Sequence, residues 1–139
     1  MTGLVAQVGQ KCSVQRVVTA EDLESFARLS LDRNPLHFDD DKAGKSFFGK
    51  KIAHGLIGAA LISGAITELL GPGSIWLSLD LSFERPIYIG DQLTCWVEIS
   101  GVERRNLFTL DVRILNDEGI RVIGGKLTSM RAASQRLKP

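Results

Sequence analysis

The chain holds only two cysteines, Cys12 and Cys95, in 139 residues. So few, so far apart, exclude a disulfide framework and a thiolate zinc site, and they point to a reduced, cytoplasmic protein. An excess of either charge is also missing. Lys and Arg total 17 against 16 Asp and Glu, a formal net charge of +1, so neither a nucleic acid nor a membrane surface is expected as partner. Met1 to Gln7 has no basic region followed by a long apolar run, so no secretory signal is expected there. Ile52 to Thr67 carries no Asp, Glu, Lys or Arg, yet it falls short of the roughly 20 apolar residues a membrane span needs. It is broken by His54, Ser63 and the glycines at 55, 58 and 64, and Glu68 closes it; a buried core helix fits. Repeats, low-complexity tracts and linkers are absent, and residues 1–139 read as a single domain large enough to bury most of its apolar surface. No clustering of soft or imidazole ligands suggests a metal, and no Gly-rich fingerprint suggests a nucleotide. No cofactor is therefore expected.

What is present begins with Asp32-Arg33-Asn34-Pro35-Leu36-His37. Fully extended, five residues could hold the carboxylate and the imidazole about 17 Å apart. Proline fixes its own φ and keeps Asn34 out of helical geometry. Asn-Pro also favours turn initiation, which lets the two side chains swing back toward one point. An Asp beside a His can move protons near neutral pH. Asp and Asn are also ordinary turn formers, so the six residues alone do not decide between a site and a surface turn.

The rest of the chain divides cleanly. Cys12 to Val18 alternates as a strand. Thr19 caps a helix whose first turn is acidic, with Leu23, Phe26, Ala27 and Ser30 on its apolar face. That helix runs out at Leu31 and delivers Asp32 just past its end. Asp39 to Asp41 can start a short helical turn, and Lys42 to Lys51 reads as an exposed loop. Gly55 to Leu70 is apolar on nearly every face, which requires a helix enclosed by other structure; Gly71-Pro72-Gly73 ends it. Period two then takes over: Ile75–Phe83, Gln92–Glu103, Leu107–Leu115 and Ile120–Met130 read as strands joined by turns at 86–91, 104–106 and 116–119. Hairpin-length links make the last strands antiparallel neighbours. An α+β fold, an antiparallel sheet wrapped around one central helix, satisfies this order. Arg131 to Pro139 is polar, and a frayed tail is expected.

These residues resemble the MaoC-like branch of the hot-dog superfamily, and the single-domain (R)-specific enoyl-CoA hydratases within it. Ser30 to His37 is similar to that group's signature of Asp, any residue, Asn, Pro, an aliphatic residue and His. Ile52-Ala53-His54-Gly55-Leu56 resembles its entry into the central helix, and Leu79 to Asp91 the strand and turn that follow. The likeness covers about residues 12 to 131; one departure is Leu31, where many relatives have glycine. It implies reversible syn hydration of trans-2-enoyl thioesters to (R)-3-hydroxyacyl thioesters, with Asp32 and His37 as the catalytic pair. Either could activate water; the favoured assignment has both grip it, with His37 as base and Asp32 supplying the α-proton. The N–H of Gly55, at a helix N-terminus, would meet the enolate oxygen, or Gly55 is only a helix start. Asn34, His54 and Ser63 are candidate substrate-side residues. His54 would serve as a cap or hydrogen-bonding group, and Ser63 would hold Asp32 or water, or simply pack. Lys42, Lys45 and Lys50, with Lys51 and Arg85, could meet the phosphates of coenzyme A or an acyl carrier protein, or could be merely solvated. Open sheet edges and a glycine-rich helix imply a homodimer of C2 symmetry.

Two other functions fit the same fold. A hot-dog thioesterase would place a carboxylate on or near the central helix, where Glu68 stands only at the far end. A non-catalytic acyl-binding module would have no use for Asp32 and His37 in intact spacing. Acyl length, carrier and physiological direction stay open.

Overall fold

The computed structural model describes residues 6–131. The expected polar tail, from residue 132 onward, and residues 1–5 lie outside the described residues. In chain order the elements are β1 (Lys11–Val17), α1 (Ala20–Ser30), α2 (Pro35–Phe38), α3 (Asp40–Gly44), α4 (Gly55–Leu70), β2 (Ser74–Phe83), β3 (Gln92–Arg104), β4 (Leu107–Leu115) and β5 (Arg121–Arg131).

Local chemistry sets the helix ends. Thr19 and Asp22 form a reciprocal capping box at the start of α1, which satisfies two otherwise orphaned N–H groups. At its other end Leu31 takes a left-handed conformation with φ 65°, its N–H donating to Ala27 O. Asn34 caps α2 by accepting from Leu36 N, with Pro35 in the first turn, where its missing N–H is harmless. The Asn-Pro turn is thus the start of a short helix, which the sequence pattern did not reveal. Asp39 caps α3 through Asp41 N and Lys42 N. The expected loop at 42–51 accordingly begins inside α3, where Ala43 is fully buried.

The sheet is antiparallel throughout, in the order β1-β3-β4-β5-β2. The β3–β4–β5 meander is as expected. β2, however, pairs with β5 rather than β3, so the link through Pro86 to Asp91 crosses over and is not a hairpin. Period two sends Leu93, Cys95, Val97 and Ile99 of β3, with Phe108, Leu110, Val112 and Ile114 of β4, into one core. Against it α4 lays Ala59, Ile62, Ala65, Ile66 and Leu70. Gly58 permits that approach, since a Cβ there would lie 2.8 Å from Ile87 Cδ1.

The expectation that this sheet encloses α4 on all sides is overturned. Leu56, Ala60, Ser63, Gly64 and Thr67 form an exposed stripe along it, and Ile75, Leu77 and Phe83 of the edge strand β2 are exposed as well. Hydrophobicity on every face requires a covering surface, but it does not say that the same chain supplies it.

Leu31 is 85% exposed, so its side chain contributes little packing while its backbone sits in the region that costs a non-glycine residue roughly 1–2 kcal/mol. Leu31→Gly removes that cost and adds about 0.4–1 kcal/mol of chain entropy to the unfolded state. The balance is a gain of about 0.5 kcal/mol, a rise of about 2 °C in Tm by calorimetry. A lower Tm would assign the leucine side chain a packing role.

Candidate active site

Asp32, His37 and His54 come from three segments and converge. One atom from each lies within 4.8 Å of the others. Asp32 follows the left-handed turn at Leu31; its N–H donates to Ser30 Oγ, and its Oδ1 accepts from Asn34 N at 3.0 Å. That bond forms the Asx turn by which the chain doubles back. α2 then places His37, which is only 8% exposed. His37 Nδ1 lies 2.7 Å from Ile52 O. A carbonyl accepts only, so Nδ1 carries the hydrogen and Nε2 is a bare acceptor at neutral charge.

His54 occupies the position before α4, yet its side chain makes no cap bond. Nε2 lies 3.1 Å from the Asp32 carbonyl oxygen and therefore donates to it. Nδ1 is buried without a partner among the described residues. The ring stacks on His37 at 3.8 Å between centroids and 30° between planes, with Phe26 and Phe38 alongside. Burial, foremost, pulls the His54 pKa below its ordinary 6.5; the facing His37 lowers it further, while the hydrogen bond and charge of Asp32 raise it.

The sequence pattern showed no metal cluster, yet the fold brings these three potential ligands together. Stacked rings send their in-plane lone pairs side by side, whereas imidazoles on one ion must aim at a common point about 2.0–2.1 Å from each. Both thiols are pushed toward the protonated form. Burial, with Glu68 second, raises the Cys12 pKa, and burial pushes that of Cys95 up to about 12.

Gly55 is the first residue of α4, and its N–H finds no acceptor among the described residues. It opens on an apolar cavity of about 390 Å³ bordered by Phe48, Ile52, Leu56, Phe83 and Ile87, with Arg85 at its edge. A Cβ on Gly55 would lie 2.7 Å from Phe83 Cδ1. His37 borders a different hollow, of about 340 Å³, with Leu23, Arg33, Phe38 and Lys51. A larger hollow of about 490 Å³ lies on the outer sheet face, where Arg121 pairs with Glu84 and Lys126 with Asp111.

Among the other expected site residues, Asn34 has its side-chain oxygen occupied in capping α2. Ser63 lies on the exposed stripe of α4 and forms no hydrogen bond to Asp32 among the described residues. Lys45 pairs with Asp41 and Lys51 with Asp40, Lys50 lies over the Tyr88 ring at 4.4 Å, and Lys42 is exposed. Sequence reasoning missed the Ile52 carbonyl, which no residue type announces. It also missed Phe26, Phe38 and Phe83; only Phe26 was legible, as part of the apolar face of α1.

An antiparallel sheet packed on one central helix, with Asp32, His37 and His54 converging beside the start of that helix, is an α+β hot-dog architecture. The family model described as a MaoC like domain matches residues 5–118. The chain is 37% identical over 128 residues to the (R)-specific enoyl-CoA hydratase of Aeromonas caviae, covering 91% of this chain and 96% of that one. It is 36% identical over 123 residues to the enzyme of the same name from Rhodospirillum rubrum, covering 88% and 85%. The solved R-hydratase of Pseudomonas aeruginosa superposes with a TM-score of 0.86 at 36% identity, covering 93% of this chain and 84% of that one. The chain belongs to the MaoC-like family, and its activity is that of a hydratase/dehydratase.

Proposed function

We propose that this chain interconverts trans-2-enoyl and (R)-3-hydroxyacyl thioesters, with Asp32 and His37 adding water to one face of the double bond. The observation that carries this is the bare Nε2 of His37, held in that state by the Ile52 carbonyl beside the carboxyl group of Asp32. Water gives a proton to Nε2 as its oxygen bonds to the β-carbon. The C=C electrons move to the α-carbon and thioester oxygen, and the α-carbon takes its proton on the same face from Asp32, which enters the cycle as the neutral acid and is left as the carboxylate. The imidazolium then returns a proton to Asp32, which restores the site. Such transfers contribute typically about a hundred- to ten-thousand-fold each.

The N–H of Gly55 stabilises the enolate oxygen in this scheme, supported by its place at a helix N-terminus and its lack of another acceptor. The thioester lies along the apolar cavity beside it. Lys42, Lys45 and Lys50, with Arg85, meet the phosphates of the carrier, coenzyme A or an acyl carrier protein. Asn34 shapes the turn that presents Asp32, and Ser63 faces the second protomer rather than Asp32. The proposed protein is a cytoplasmic homodimer without metal or cofactor; two free cysteines, one of them buried, suit a reducing compartment. The open stripe of α4 and the unpaired side of β2 support a C2 pair that extends the sheet across both chains. No helix among the described residues is long and apolar enough to cross a membrane. A thioesterase would typically carry its acid on the central helix, and Glu68, the one acid in α4, stands exposed at the end opposite Gly55.

Crotonyl-CoA distinguishes these activities. The conjugated thioester absorbance should fall without release of free thiol, and Asp32→Asn and His37→Ala should each lose about a hundredfold or more in turnover; Tm should change little at the exposed Asp32 and fall at His37, which is buried and hydrogen-bonded to Ile52 O. Thiol release at the same rate, or a variant keeping more than about a tenth of turnover, contradicts the assignment.

For the oxyanion donor, Gly55→Pro and Gly55→Ala are compared in a Phe83→Leu background, because any Cβ at Gly55 meets the Phe83 ring. His54 has φ −58° and ψ 130°, which suits a residue before proline. The two variants share that Cβ and differ chiefly in the N–H. The proline variant should be slower in kcat by about a hundred- to a thousand-fold; equal loss would mean that glycine supplies only space.

Sedimentation velocity across a dilution series, with activity measured in parallel, checks the assembly. Activity should fall as the dimer dissociates, and a fully active monomer would overturn the shared site.

A further inference from the structure

His54 stands outside the acid–base pair yet touches both members. It donates to the Asp32 main chain through Nε2 and supports the His37 ring by stacking. Its remaining nitrogen faces no partner in a residue that is 3% exposed. A buried polar atom left unpaired in this way is uncommon and calls for a reason. A second donor onto Nδ1 is not what the surroundings supply: Phe26 of α1 and Phe38 of α2 flank the ring with apolar faces.

We infer that His54 is a positioning residue for hydration: as a neutral imidazole it couples the Asp32 backbone to the His37 ring, so the two proton-handling groups hold one geometry. This rests on the Asp32–His37 assignment above. Adding a proton to His54 leaves the Nε2 bond in place but creates a buried N–H with no acceptor and a cation stacked against His37. The charged or titratable groups facing it are Asp32, from the segment after α1, and His37, from α2; α1 contributes only the neutral Phe26. Burial and His37 oppose the charge, and Asp32 partly offsets them, leaving the pKa below 6.5. At neutral pH His54 is therefore uncharged and the site intact. As pH falls below 6.5 the unfolded chain takes up the proton more readily than the folded one, so stability falls along with activity.

Three measurements on the full chain test this. In wild type the acid limb of log kcat/KM should be steeper than in His54→Gln, because proton uptake at His54 adds to the loss of activity. His54→Gln keeps an N–H donor near the Nε2 position but cannot titrate, and its kcat should stay within about tenfold of wild type. His54→Phe keeps a ring and removes the donor; its kcat should fall by about a hundredfold, the order of loss that a 1 Å misplacement produces, while KM changes less than about twofold. Nitrogen-15 spectra of the imidazoles at neutral pH should report a bare Nε2 on His37 and a bare Nδ1 on His54. A wild-type acid limb no steeper than that of His54→Gln, Gln and Phe variants of equal activity, or the opposite tautomer on His54 would each overturn the inference. The spectra decide even if the Phe variant does not fold. Failure of wild type to hydrate crotonyl-CoA counts against the proposed function, whereas an active wild type whose acid limb matches that of His54→Gln counts against His54 alone.

Discussion

The hydrogen bond from His37 Nδ1–H to the Ile52 carbonyl, at 2.7 Å, is the constraint on which the site depends. It selects one tautomer, fixes the ring plane and leaves Nε2 as the only basic atom of His37. Its anchor is tied on both sides. Ile52 N donates to Leu36 O, and Ala53 N donates to Ile87 O at 2.7 Å, while Ile52 bridges Tyr88. The carbonyl that orients His37 is thus held both by the helix that carries His37 and by the link between β2 and β3. A short, four-residue helix such as α2 has little stability alone; these tertiary bonds make it a rigid mount.

Glycines in α4 carry three different meanings. Gly58 admits the side chains of Ile87 and Ile123 to the helix surface, where a Cβ would crowd both. Gly55 leaves room for the Phe83 ring, and its N–H has no acceptor among the described residues. Gly64 has nothing within 4 Å of where its Cβ would stand, so nothing among the described residues accounts for it. It lies on the same open stripe as Leu56 and Ser63. A helix glycine costs about 1 kcal/mol relative to alanine, and at Gly64 the compensating close approach is to be sought across the exposed face.

Strand boundaries were legible because a sheet with one buried face imposes period two, and β3 to β5 obey it closely. The cap at Thr19 and the end of α1 at Leu31 were legible for an equally local reason, since a capping hydroxyl and an acidic first turn act within a few residues. Asp32 and His37 stood out by residue type and spacing. The partner of β2 was not legible: a link of the length of 84–91 can form a wide turn or a crossover, and only packing of the sheet around α4 selects β5. The openness of α4 was hidden too, because apolar residues on every face report a need for cover without naming its source.

By itself the sequence determined the fold class, the strands, the two longer helices and, through its motifs, the family, and it singled out Asp32 and His37 as the proposed acid–base pair, since periodicity, capping and residue spacing are local properties. Tertiary structure alone decided that His54 binds the Asp32 carbonyl and stacks on His37, that the Ile52 carbonyl sets the tautomer, and that Ser63 lies on the open stripe. The physical reason is common to all three. Main-chain carbonyls are the same at every residue, and ring stacking depends on distances between segments remote in sequence, so neither leaves a signature in the order of side chains.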